Sequence, residues 1–149
     1  MEIERKFLVK NIPPVLDNCN KRYIEQAYLC TSPTVRVRRD NDDYYLTYKG
    51  KGFIVREEYN LPLTKESYEH LLSKADGIII TKTRYEIPDG NNLIIELDVF
   101  EGEYKGLVLA EVEDAVSYTP PEWFGEDVSE RVEFCNSYLS AHCCRDIPF

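Results

Sequence analysis

Fifteen charged side chains of this sequence recur in a pattern that could do chemistry. All but Lys49 stand two positions apart along extended stretches: Glu2, Glu4 and Lys6; Arg36 and Arg38; Lys49; Arg56 and Glu58; Lys82, Arg84 and Glu86; Glu96 and Asp98; Glu111 and Glu113. Residues i and i+2 of a β-strand share one face, about 7 Å apart. Pairs of like sign therefore repel unless an opposite charge lies beside or across from them. A solvated strand face usually mixes Thr, Ser, Gln and Lys, whereas this set is Arg, Lys and carboxylate only. The set divides by chemistry. Arginine and lysine suit phosphate oxygens, arginine through forked pairs of N–H bonds. Carboxylates without His or Cys suit hard divalent cations such as Mg²⁺ or Mn²⁺. Together they describe a site for a metal–polyphosphate complex.

Such residues need strands to hold them. The first ten residues alternate, with Ile3, Phe7 and Val9 opposite Glu2, Glu4 and Lys6. The same construction predicts strands at Tyr23 to Cys30, Thr34 to Asp40, Tyr44 to Lys49, Phe53 to Leu61, Ile78 to Ile87, Leu93 to Val99 and Leu107 to Glu113, eight in all. Turn residues separate them, at Asn41-Asp42-Asp43, Gly50-Lys51-Gly52 and Asp89-Gly90-Asn91-Asn92. Tyr68, Leu71, Leu72 and Ala75 follow Thr64 at helical spacing, predicting a helix over about 65–75 with Gly77 at its C′ position. After Pro120-Pro121 the pattern is helical again: Asp127 and Glu130 have capping-box spacing, and Val128, Val132, Cys135 and Leu139 mark one face. The expected fold is mainly β (α+β), an eight-stranded antiparallel closed β-barrel. The charged face points inward and a few helices pack outside, on the apolar face. A charged interior is costly unless its groups pair or await ligands.

Composition narrows the function classes. The chain has 149 residues, the length of one domain spanning 1–149. A net charge of −9 argues against a nucleic-acid binder. No apolar run is long enough for a membrane span, and the acidic N-terminus has no secretory h-region, which together point to a cytoplasmic protein without membrane partners. Five cysteines with no Cys-x-x-Cys speak against a disulfide framework. Two histidines leave little for a His-based zinc site or a Ser-His triad. Composition leaves a homodimer open.

The ordered motifs resemble a known family. Glu-x-Glu-x-Lys within EIERKFLV is followed by QAYL, VRVRR, TYKG, REEY, TKTRYE, IELDVF, LAEVE and the late EWFGEDV and FCNSYL segments. This series resembles the CYTH family, the triphosphate tunnel metalloenzymes, over nearly the whole chain, and most of all its short bacterial tripolyphosphatase-like members. The resemblance implies a β-barrel tunnel that hydrolyses inorganic tripolyphosphate, or a related triphosphate, with Mg²⁺ or Mn²⁺. It implies metal ligation by Glu2, Glu4, Glu111 and Glu113, with Asp98 beside them. Lys6, Arg36, Arg38, Lys49, Arg56, Lys82 and Arg84 would grip the phosphates, and Glu58 matches a tunnel glutamate. Tyr28 matches a position that assists catalysis. Lys82 or Tyr28 would orient the attacking water or accept its proton; a lysine does so only when its neighbours depress its pKa, and Arg84 is such a neighbour. Asn60 departs from the pattern, standing where close relatives often carry an acid.

Three alternatives keep the same residues. One is sibling chemistry on a gripped triphosphate, as in a class IV-type adenylate cyclase or a thiamine triphosphatase. The second is a non-catalytic polyphosphate- or nucleotide-binding module, which binds without turnover. The third is a structural barrel with internal salt bridges and no triphosphate affinity. Fold alone does not choose among them.

Overall fold

A computed structural model describes residues 4–51, 57–90, 92–113 and 118–142, together with Arg145, Ile147 and Phe149. Nine strands form one antiparallel sheet: β1 Glu4–Val9, β2 Asn20–Thr31, β3 Thr34–Asp40, β4 Asp43–Lys49, β5 Glu58–Pro62, β6 Asp76–Pro88, β7 Ile94–Glu101, β8 Val108–Glu113 and β9 Phe124–Asp127. Their order is β5-β4-β3-β2-β6-β7-β8-β1-β9. The mainly β, antiparallel architecture is the expected one. Among the described residues, however, β5 and β9 are the two ends of the order and no ladder joins them into a closed circuit. The first half of the expected strand Phe53 to Leu61 lies outside the described residues.

The ninth strand replaces part of the helix expected after Pro120-Pro121. Phe124 stacks on Phe7 with ring centroids 4.9 Å apart, and Trp123 meets Phe124 edge-on at 4.6 Å. This aromatic cluster lays the segment along β1, where Val128 N–H donates to Lys6 O at 2.8 Å. Asp127 does not cap a helix. Its carboxylate accepts from Ser129 N–H at 2.9 Å and from the Arg5 guanidinium at 3.0 Å. Val132, expected on a buried helix face, is 60% exposed. The C-terminal helix is confined to α2, Asn136–Ala141.

Alternation divides the sheet into two faces. On the apolar face, Phe7, Leu97, Ala110 and Val112 pack under Phe124 and Trp123. Ala27 and Val37 pack under Tyr68, Leu71 and Leu72 of α1, Lys65–Leu72. Thr64 caps this helix as expected, its hydroxyl accepting from Ser67 N–H at 3.1 Å. Burying a large apolar side chain is worth about 1.5–3 kcal/mol, so α1 and the β9 segment are the cover this face needs.

The second helix does something else. Ile80 shares a face with Lys82 and Arg84, Phe100 with Asp98, and Leu109 with Glu111. These apolar residues lie at one end of the charged face, where Phe134, Leu139 and Ile147 pack against them. The C-terminal segment is therefore a plug on the charged side, not an outer cover. Gly77 is not a helix C′ residue, because Ser73 is the C-cap of α1. It begins β6 at φ +75°, and a Cβ there would meet Ser140 O at 2.1 Å. Among the described residues no helix is long and apolar enough to cross a membrane.

Candidate active site

Inward-facing charges from seven strands, joined by uncharged residues of the plug, converge on one cavity of about 530 Å³. Ten expected site residues line it: Glu4, Lys6, Tyr28, Arg36, Arg38, Lys49, Glu58, Arg84, Glu111 and Glu113. Thr34, Glu96, Cys135, Asn136 and Ser137 complete the lining. Glu2 and Arg56 lie outside the described residues. Lys82 and Asp98 are not part of the lining; they lie fully buried, with side-chain exposures of 0% and 1%. A cavity of similar size, about 540 Å³, is lined by Glu25, Asp42 and Glu101 together with Arg39 and Lys82, and holds none of the other expected site residues.

Sheet order separates the charges into walls. β3 and β4 bring Arg36, Arg38 and Lys49 to one side, while β1 and β8 bring Glu4, Glu111 and Glu113 to the other. In the β1–β8 ladder Glu4 pairs with Glu113 and Lys6 with Glu111. Partial loss of solvent pushes the Glu4 carboxyl up to about 7; Glu111 and Glu113 reinforce the shift and Lys6 opposes it. Glu4 nevertheless keeps an exposed surface, so this wall is reached by water. Lys6 Nζ stands 3.4 Å from Glu111 Oε1 and donates to Phe134 O at 3.1 Å.

Between the walls lies a buried ionic cluster. Asp98 accepts from Lys82 Nζ at 2.8 Å, from Arg84 Nε at 2.8 Å and from Arg84 Nη2 at 2.9 Å. Glu96 takes Arg84 Nη1 at 3.0 Å. Burial alone would raise the Asp98 pKa, but the two cations outweigh it and hold the carboxyl well below the usual range. Burial pulls the Lys82 ammonium down to about 8; Asp98 resists the shift and Arg84 adds to it. The Lys82 ammonium also donates to Asn136 Oδ1 at 3.4 Å, tying the plug to the sheet.

The β3 arginines are held differently. Arg38 Nε donates to Gln26 Oε1 at 2.7 Å, and Arg36 Nη2 to Thr47 Oγ1 at 3.3 Å. The Thr47 hydroxyl in turn donates to Asn60 Oδ1 at 2.6 Å, which gives the departing Asn60 a place in this chain of bonds. Burial, and then Arg38, lower the Arg36 pKa. Sequence reasoning passed over Gln26, Thr47 and Asn136 because none carries a charge. Alternation alone would have placed Gln26 beside Tyr28 and Thr47 beside Lys49 on the inward face.

Carboxylates dominate the acidic wall. Among the described residues no group of three His, Cys, Asp or Glu side chains is placed to hold a metal ion. A hard ion such as Mg²⁺ takes one or two carboxylates and completes its shell with water and substrate phosphates. Desolvation is the main cause of the raised Glu4 pKa; the repulsion that Glu111 and Glu113 add to it is the part a divalent cation relieves.

The CYTH domain family matches residues 1–133. This chain belongs to the CYTH family. An inorganic triphosphatase of Nitrosomonas europaea is 37% identical to it over 150 residues, covering 93% of this chain and 96% of that protein. An inorganic triphosphatase of Acetivibrio thermocellus is 33% identical over 149 residues, covering 93% and 92%. The crystal structure of the inorganic triphosphatase NE1496 superposes with a TM-score of 0.78 at 32% identity, covering 95% of each chain. The Hippeastrum protein HpAC1, described as having a dominant triphosphatase activity, superposes at 0.55 with 15% identity over 77% of this chain, a likeness that carries the fold alone. CYTH membership implies dependence on a divalent metal ion. The Cys135, Asn136 and Ser137 lining lies beyond the residues of the CYTH match.

Proposed function

We propose that this protein hydrolyses inorganic tripolyphosphate with Mg²⁺ or Mn²⁺. The observation that carries this reading is the pairing, across one cavity, of a carboxylate wall with Arg36 and Arg38, which among the described residues form no ion pair with an acid. A triphosphate chain laid between them would meet Arg36, Arg38 and Lys49 with its oxygens, while Glu4, Glu111 and Glu113, with Glu2, would hold the ion. When bound, the ion supplies charge neutralisation at phosphate oxygens and acidification of water.

The chain's own residues do the rest. Phosphoanhydride hydrolysis needs positioning and charge stabilisation more than covalent help. Arg36 and Arg38 donate to the phosphates, and Arg84, fixed by Asp98 and Glu96, presents its remaining edge. Asp98 has its oxygens committed to Lys82 and Arg84, so it acts as their anchor and not as a metal ligand. Lys82 is buried on Asp98 and Asn136 and does not line the cavity, so Tyr28 is the residue that orients the water from the cavity side. Kinship with two inorganic triphosphatases supports the choice of inorganic over nucleoside triphosphate.

The test is phosphate release from tripolyphosphate, ATP and thiamine triphosphate with either ion, by wild type and Glu4→Gln. Release from tripolyphosphate that falls at least about a hundredfold in the variant is the expected result. Equal turnover by both proteins would remove Glu4 from the metal end. Release from ATP alone would move the substrate to nucleotides.

A further inference from the structure

The cations in and beneath the cavity wall are not all held alike, and the difference has a function. Lys6, Lys82 and Arg84 each touch a carboxylate, at 3.4, 2.8 and 2.8 Å respectively. Among the described residues neither Arg36 nor Arg38 forms an ion pair with an acid. Each is held by an uncharged side chain that is itself fully buried: Gln26 and Thr47 both have 0% exposure. We infer that Gln26 and Thr47 are positioning residues, which fix the two β3 guanidiniums toward the cavity without cancelling their charge. This inference rests on the triphosphatase reading of the same cavity.

The geometry supports it at both positions. Gln26 lies directly across the β2–β3 ladder from Arg38, and Thr47 across the β3–β4 ladder from Arg36. Arginine only donates hydrogen bonds, so the amide of Gln26 must present its oxygen to Arg38 and turn its nitrogen away. That Nε2, like Arg36 Nε, is buried and has no acceptor among the described residues. Leaving a buried donor unmet costs free energy, yet what is left over in this corner is donors. An acid at 26 would have satisfied Arg38 more strongly, but it would have neutralised the guanidinium before any phosphate arrived. A neutral acceptor sets the orientation and leaves the full positive charge for an anion.

The discriminating substitution is Gln26→Glu. It keeps the size of the side chain and the oxygen that holds Arg38, and it adds the negative charge the proposal says must be absent. A purely structural role for Gln26 would tolerate it. The measurement is calorimetric binding of tripolyphosphate with Mg²⁺ at pH 8, for wild type, Gln26→Glu, Thr47→Val and Arg38→Ala, with melting temperatures taken in parallel. Gln26→Glu should fold with an unchanged or higher melting temperature and bind on the order of tenfold or more weaker. Thr47→Val keeps the shape and loses the hydroxyl, and should weaken binding several-fold. Wild-type affinity in Gln26→Glu, with Arg38→Ala impaired, would overturn the inference and leave the triphosphatase reading standing. No binding by wild type would overturn both.

Discussion

Asp98 shows how much of this site depends on single atoms. One buried carboxylate holds both Lys82 and Arg84. Removing one partner of a buried ion cluster leaves charges uncompensated, at a cost of about 3–5 kcal/mol. Asp98→Asn should therefore lose stability of that order in urea unfolding, together with nearly all turnover. The cluster also sets an acid limit. The folded pKa of Asp98 lies below its unfolded value. Its contribution is thus complete above about pH 4, the unfolded range, and is lost as pH falls further. Thermal unfolding followed from pH 7 down to pH 3 should show wild type losing stability below about pH 4. Asp98→Asn should lose less over the same interval; a parallel decline in both proteins would place the acid sensitivity elsewhere. The charge at Asp98 was legible in the sequence, but its direction of engagement was not. Alternation puts Lys82, Arg84 and Asp98 on one face without saying that two cations close on the acid before a metal can.

At the scale of elements, helix α1 was readable because Thr64 and the Tyr68–Leu72 spacing agree with each other. The C-terminal segment was not, because Val128, Val132, Cys135 and Leu139 do not form one helix face: Val128 follows strand β9 and packs with Leu139, while Val132 and Cys135 are exposed. Helical spacing cannot separate those uses when the partner is a distant sheet. Gly77 carries the consequence. It was read as a helix end, and instead it lets β6 pass beneath Ser140 in a left-handed conformation. Gly77→Ala combines that conformation with a backbone clash and should cost about 1–3 kcal/mol, with turnover falling as α2 shifts the Asn136 contact to Lys82. Thr64→Ala should cost about 1 kcal/mol and leave turnover intact, since α1 covers only the apolar face. Urea unfolding and phosphate release on the two variants check both statements; a fully active Gly77→Ala would detach the plug from the chemistry.

Across the whole molecule, one strand order turns a list of alternating charges into two opposed walls. The sequence supplied the inward face and most residues of the lining. It could not supply the plug, the ninth strand or the neutral supports of Arg36 and Arg38, because these depend on which strands become neighbours. The central claim is a division of labour: β3 and β4 bind phosphate, and β1 and β8 bind the ion. The most direct measurement is calorimetric titration of tripolyphosphate, with and without Mg²⁺, into wild type, Glu111→Gln and Arg36→Ala. Mg²⁺ should strengthen binding in wild type and fail to do so in Glu111→Gln, while Arg36→Ala should bind weakly under both conditions. An equal Mg²⁺ enhancement in wild type and Glu111→Gln would contradict the assignment of the acidic wall to the ion.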